Sequence, residues 1–169
     1  MTRLTHIKLH HTPSSPERKK LIAAVQELRT RIPVRVPTIR NGEDVSPHSS
    51  QPESSAYMPS EASSVFATFT PATESDVSAA IEAALKAKQA WQDTPFVDRA
   101  AVFLRAAELV SGKYRFELMA ATMLGQGKNA WQAEIDAAAE LADFYRFNVS
   151  YAEEIYSRQP TLNERGQAG

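Results

Sequence analysis

Asp136, Glu140 and Asp143 are three carboxylates set at helical spacing, in the run EIDAAAELADFYRFN. On a regular helix Glu140 shares a stripe with Ala133, Phe144, Phe147 and Tyr151, and a carboxylate beside aromatics is a candidate site group. Asp136 and Asp143 crowd it with like charge, at roughly 0.2–0.5 kcal/mol per exposed pair. On residue types alone, a solvated acidic face explains such a run better than a site does. His6, His10 and His11 have neither carboxylate nor cysteine beside them, so a solvated tail explains them better than a metal centre. Gly125-Gln126-Gly127-Lys128 lacks the G-x-x-x-x-G-K-[ST] spacing and follows a helical stretch, which makes it a helix–helix turn and not a phosphate loop. Asn148-Val149-Ser150 matches a glycosylation acceptor but falls inside a predicted helix. None of the 169 residues is cysteine. That excludes thiolate nucleophiles, thiolate metal sites and disulfides.

The elements that must position Glu140 are marked by their ends. Glycines at 125 and 127 supply a stop, because glycine adopts the left-handed C-terminal conformation without a Cβ penalty. Asn129 can cap the next helix, with Gln132 three residues on completing a capping-box pair. Nothing in residues 130–156 breaks that helix, so a single rod of about 40 Å is expected at ~1.5 Å per residue. Upstream, Ser14 or Ser15 starts a helix with proline at its first position, and Leu21, Val25 and Leu28 make one apolar stripe. Pro33 ends it. Residues 34–36 and 38–40 are extended, and Asn41-Gly42 is a two-residue hairpin signal. Pro37 between them favours an edge or bulge position.

Residues 65–69 alternate as a short strand. Thr73 then caps a helix whose first turn carries Glu74 and Asp76, with Val77, Ile81, Ala84 and Lys88 along one face. Thr94-Pro95 opens a second helix with Ala100, Phe103, Leu104 and Ala107 on its buried side, and Ser111-Gly112 closes it. Residues 114–124 form a third. Trp91, Trp131, Phe144 and Tyr145 are most simply core. A packed helical cluster is expected, with alanines allowing close approach.

Composition bounds the rest. At 43% hydrophobic and 23% charged residues the chain reads as an ordinary globular protein with a real core. A net charge of −1 gives no electrostatic case for nucleic acid, and no apolar run approaches the ~20 residues of a membrane span. The acid-poor start, with Arg3 and Lys8, suits either a mitochondrial targeting segment or a disordered terminus. The organisation expected is a flexible tail over 1–14, a helix and β-hairpin over 15–45, a Ser/Pro-rich loop over 46–64, a helical body over 65–160 and a divergent tail over 161–169. The 46–64 assignment rests on eight serines and three prolines.

The run GQGKNAWQAEIDAAAELADFYRFN, with FVDRAAVFLRAAELVS upstream, resembles the N-terminal part of the delta-1-pyrroline-5-carboxylate (L-glutamate gamma-semialdehyde) dehydrogenases, a branch of the aldehyde dehydrogenase superfamily. The resemblance covers residues 15–160 and weakens over 45–64. It implies an α/β enzyme of which this piece is mainly α-helical with a small β-hairpin. It further implies a small-molecule aldehyde substrate, NAD as cofactor in the complete enzyme, homo-oligomerisation and a mitochondrial matrix location, or a cytoplasmic one where the N-terminus does not target. Glu140 falls on the family's glutamate that approaches the substrate pocket, which implies substrate positioning and not proton abstraction. The family attacks its aldehyde with a cysteine thiolate, so no catalytic residue is expected here, and the chain is expected to be a fragment, inactive alone. The alternative is a non-catalytic helical module that docks on a full-length subunit.

Overall fold

The computed structural model describes residues 9–45 and 51–158. Helix α1, Pro16–Arg31, opens as expected, with the Ser15 side chain accepting from the Arg18 N–H and Pro16 at the first helical position. Its stripe docks, for Leu21 and Leu28 are buried and Val25 is packed beside them. Beyond Pro33 come β1, Val34–Arg35, and the hairpin of β2, Thr38–Arg40, with β3, Glu43–Val45. Asn41 and Gly42 both take positive φ (53° and 80°). That pairing makes the tight turn whose twist matches the flanking strands. Pro37 sits where the chain leaves one sheet for the other.

The Ser/Pro-rich loop expected over 46–64 is corrected for its described part. Strands β4, Ser54–Met58, and β5, Glu61–Phe69, pair antiparallel there, and β1 pairs parallel on the other edge of β5. The serines mask the pattern, since ladder hydrogen bonds need only backbone, and the docking information sits in Met58 at 1% exposure and in Ala67. The short strand expected over 65–69 is the second half of β5, which begins four residues earlier at Glu61.

Helix α4, Arg115–Gln126, is the centre of the packing. One side, with Met119, meets Leu21, Ala133 and Ala138; the other, with Ala120 and Leu124, meets Leu28 and Met58. Gly125 lies inside its last turn, where an added Cβ would come 2.8 Å from the Phe66 ring, and Gly127 (φ 69°) ends it in the left-handed conformation. The run GQGK is therefore a helix–helix turn. Asn129 and Gln132 form the expected capping box.

From there the expected single α-rod is corrected. Helix α5, Ala130–Ala133, passes into a seven-residue π-helical segment, Glu134–Glu140, and then α6, Leu141–Ser157. Ala133, Ala138 and Ala142 are all fully buried. In a regular helix of 3.6 residues per turn Ala133 and Ala142 would stand about two and a half turns apart, on opposite sides. The wider turns return both to the core.

Helix α2, Glu74–Asp93, is capped by Thr73 as expected, with Asp76 closing a capping box, yet buries no residue. Its expected face is open, with Val77 at 53% and Ile81 at 56% exposure. Helix α3, Phe96–Ser111, packs on α6 through Ala100 and Ala107, while Phe103 and Leu104 stay over two-fifths exposed. Thr94 does not cap α3; its hydroxyl is spent on the Ala90 carbonyl at the end of α2. Trp91, Trp131 and Phe144, expected as core, are exposed; Tyr145 packs against Phe103. Among the described residues no helix is long and apolar enough to cross a membrane. If the β4–β5 hairpin docks through Met58, Met58→Ala will destabilise the chain by about 2–5 kcal/mol in urea titrations; a change under ~0.5 kcal/mol would mean a hairpin not bound to the core.

Candidate functional site

Glu134, the first residue of the π-helical segment, is a carboxylate with 0% exposure and three partners. One carboxylate oxygen accepts from the guanidinium of Arg115, itself 2% exposed, and from the Leu9 N–H at 2.8 Å. The other meets His11 Nε2 at 3.0 Å, a distance at which the ring N–H donates. Arg115 spends a further N–H on the Ser111 carbonyl. The tail expected over 1–14 is thereby corrected for residues 9–14. His11 is not a solvated tail residue; it closes a strap across α4 and the π segment. His6, residues 1–8 and the divergent tail over 161–169 lie outside the described residues. Sequence reasoning missed Glu134 because an acid within a charged helical run reads as surface. The one cue was its place between Ala133 and the alanines at 137–139.

Burial raises the Glu134 pKa, but hydrogen bonds from His11, the Leu9 N–H and Arg115, with the Arg115 charge, outweigh it and hold the carboxyl below its ordinary value. Such a group favours the folded chain at pH above the ordinary carboxylate range. That contribution is lost as pH falls through the depressed folded value.

Glu140, the residue singled out for substrate, ends the same segment and is exposed. The stripe expected from regular periodicity is re-phased by the π turns. Ala133 faces the core, while Gln132, Glu140 and Phe144 face outward with Asp136 partly exposed between them. Of the four carboxylates from 134 to 143, Glu134 is held by Arg115, Asp136 by Lys128, and Asp143 by Arg146 at 4.0 Å. Glu140 has no cation or hydrogen-bond donor among the described residues.

A cavity of about 340 Å³ opens elsewhere, between α3 and α6, lined by Trp91, Phe96, Arg99, Phe103 and Tyr156, and does not include Glu140. Arg99 bonds the Tyr156 hydroxyl there at 3.0 Å and lies over the Trp91 ring. Among the described residues there is no group of three potential metal ligands. The run at 125–128 is not a phosphate loop. Gly127 ends a helix, whereas a phosphate loop follows a strand and opens one, and Lys128 is spent on Asp136.

A family model described as the aldehyde dehydrogenase family matches residues 46–168. The chain is similar to the delta-1-pyrroline-5-carboxylate dehydrogenase of Agaricus bisporus, at 52% identity over 158 residues, which is 94% of this chain and 28% of that protein. It is 50% identical over 157 residues to the mitochondrial enzyme of that name from Emericella nidulans, covering 93% of this chain and 27% of the relative. The solved Mycobacterium tuberculosis Delta-pyrroline-5-carboxylate dehydrogenase bound with NAD superposes with a TM-score of 0.86 at 40% identity, covering 95% of this chain and 29% of that one. The chain thus spans little more than a quarter of the length of these proteins.

Removing the charge on Glu134 takes the facing carboxylate away from the buried Arg115, so Glu134→Gln should cost about 3–5 kcal/mol at neutral pH. The deficit should shrink as pH falls below the ordinary carboxylate range, in denaturant titrations run from neutral to acid. A deficit that stays constant with pH would contradict a depressed Glu134.

Proposed function

Because the chain belongs to the aldehyde dehydrogenase family, we propose that it is the N-terminal part of an NAD-dependent dehydrogenase that oxidises L-glutamate gamma-semialdehyde, in equilibrium with pyrroline-5-carboxylate, to glutamate. The likeness over nearly the whole chain to enzymes of that name supports the reading. Within the chain, the observation that carries it is the unpartnered, outward carboxylate of Glu140 beside neighbours already paired. The semialdehyde carries an ammonium group at its amino-acid end. A carboxylate free of other cations attracts it and fixes which end of the substrate faces the reacting centre.

The chemistry itself falls to other parts of the longer enzyme. With no cysteine here, the attacking thiolate comes from outside these residues, as does the NAD cradle. We place the longer enzyme in the mitochondrial matrix as a homo-oligomer, the compartment following the names of relatives. A second reading, a helical module that docks on a full-length subunit, is favoured by the open apolar face of α2, where Leu85 continues Val77 and Ile81.

The purified chain should form no NADH from pyrroline-5-carboxylate, whereas residues 9–158 grafted in place of the matching segment of the Agaricus bisporus enzyme should support turnover. NADH from the chain alone, or a folded graft that binds NAD yet turns over nothing, would overturn the proposal. In the graft Glu140→Gln should raise KM for the semialdehyde about tenfold, since a charge-assisted hydrogen bond contributes ~1.5–3 kcal/mol.

A further inference from the structure

Glu134 and Glu140 bound one π-helical segment, and their environments are opposite. The first is fully buried under three donors from Arg115, Leu9 and His11; the last is exposed and holds no partner among the described residues. π-helical turns are rare, are frequent at functional sites, and persist where the surroundings enforce them. Here the enforcement is visible. Glu134 is pulled inward by its donors, and Ala138 and Ala139, four and five residues on, are buried against the core. The inward positions 133–134 and 138–139 therefore repeat at five residues, the spacing of a π turn.

The outer side follows the same winding. Gln132, Asp136, Glu140 and Phe144 recur every fourth residue along it. On a regular helix the first and last of these would lie about a third of a turn apart. Without the inward pull at 134, Glu140 would turn out of that row. We infer that the buried clamp on Glu134 sets the direction of Glu140 through the π-helical segment, making Glu134 a positioning residue for substrate selection, a role that presupposes the substrate-holding reading of Glu140. His11 takes part as one of the donors, so the strap over residues 9–14 belongs to the same device.

The test uses the grafted full-length dehydrogenase and compares kcat/KM for the semialdehyde with kcat/KM for propanal, which has no charged end. Glu140→Gln and Glu134→Gln should each lower the preference for the semialdehyde by about tenfold, and His11→Ala by about threefold, the range of coupling through a shared network. The double variant Glu134→Gln/Glu140→Gln should lose no more preference than Glu140→Gln alone, because one residue acts through the other. A role confined to stability would lower both substrates alike. The inference is overturned if Glu140→Gln lowers the preference while Glu134→Gln and His11→Ala do not, or if the two losses multiply in the double variant. If Glu134→Gln does not fold, His11→Ala, which keeps the Arg115–Glu134 pair, decides. Should Glu140→Gln leave the preference unchanged, it is the reading of Glu140 that fails, and the positioning role fails with it.

Discussion

A carboxylate taken wholly out of water is the constraint around which this chain is arranged. Removing Glu134 and Arg115 from solvent costs several kcal/mol per ion, and their mutual attraction offsets that only if the remaining lone pairs and protons are also satisfied. A strap more than 120 residues away in sequence and the two neighbouring helices satisfy most of them. Helix α4 contributes Arg115, the strap contributes the Leu9 N–H and His11, and the end of α3 contributes the Ser111 carbonyl. A pair of apolar residues of the same volume could fill the space without fixing those directions. The ion pair fixes them, and the widened helix follows.

Around that joint the packing is carried by small residues. Ala100 and Ala107 bring α3 onto α6, and Ala120, Ala133, Ala138 and Ala142 let four segments approach α4 and one another closely. Such contacts bury little area each, so the large side chains of α2, α3 and α6 remain on the outside, Val97 at 74% exposure among them. Apolar surface on this scale marks an interface. It matches a chain that covers little more than a quarter of its relatives' length.

What the sequence made legible was local chemistry. Ser15-Pro16, Asn41-Gly42, Thr73, Gly127, and Asn129 with Gln132 each specify a turn or cap from a few adjacent residues, and each forms as read. The stripe of Leu21, Val25 and Leu28 was legible because one regular period holds throughout α1. Glu140 could be picked out only by resemblance, and its lack of a partner among the described residues became visible once Asp136 and Asp143 were seen to be paired. Three features were not legible because their causes lie far away along the chain. The π segment exists because Arg115, Leu9 and His11 hold Glu134 inward. Strand β4 exists because β5 supplies its ladder and Met58 its dock, against a composition that reads as loop. Helix α2 reads as amphipathic, but the described residues do not cover its face.

Glu134 makes the strap, α4 and the π segment one cooperative unit. Native-state amide hydrogen exchange at Leu9, compared with Met119 and Ala120 in the middle of α4, tests this most directly. If the joint is real, the Leu9 amide will be protected and will open with the same free energy as the α4 core, both falling together when Glu134 is changed to Gln. A Leu9 amide that exchanges at the rate of a free peptide while α4 stays protected would contradict it.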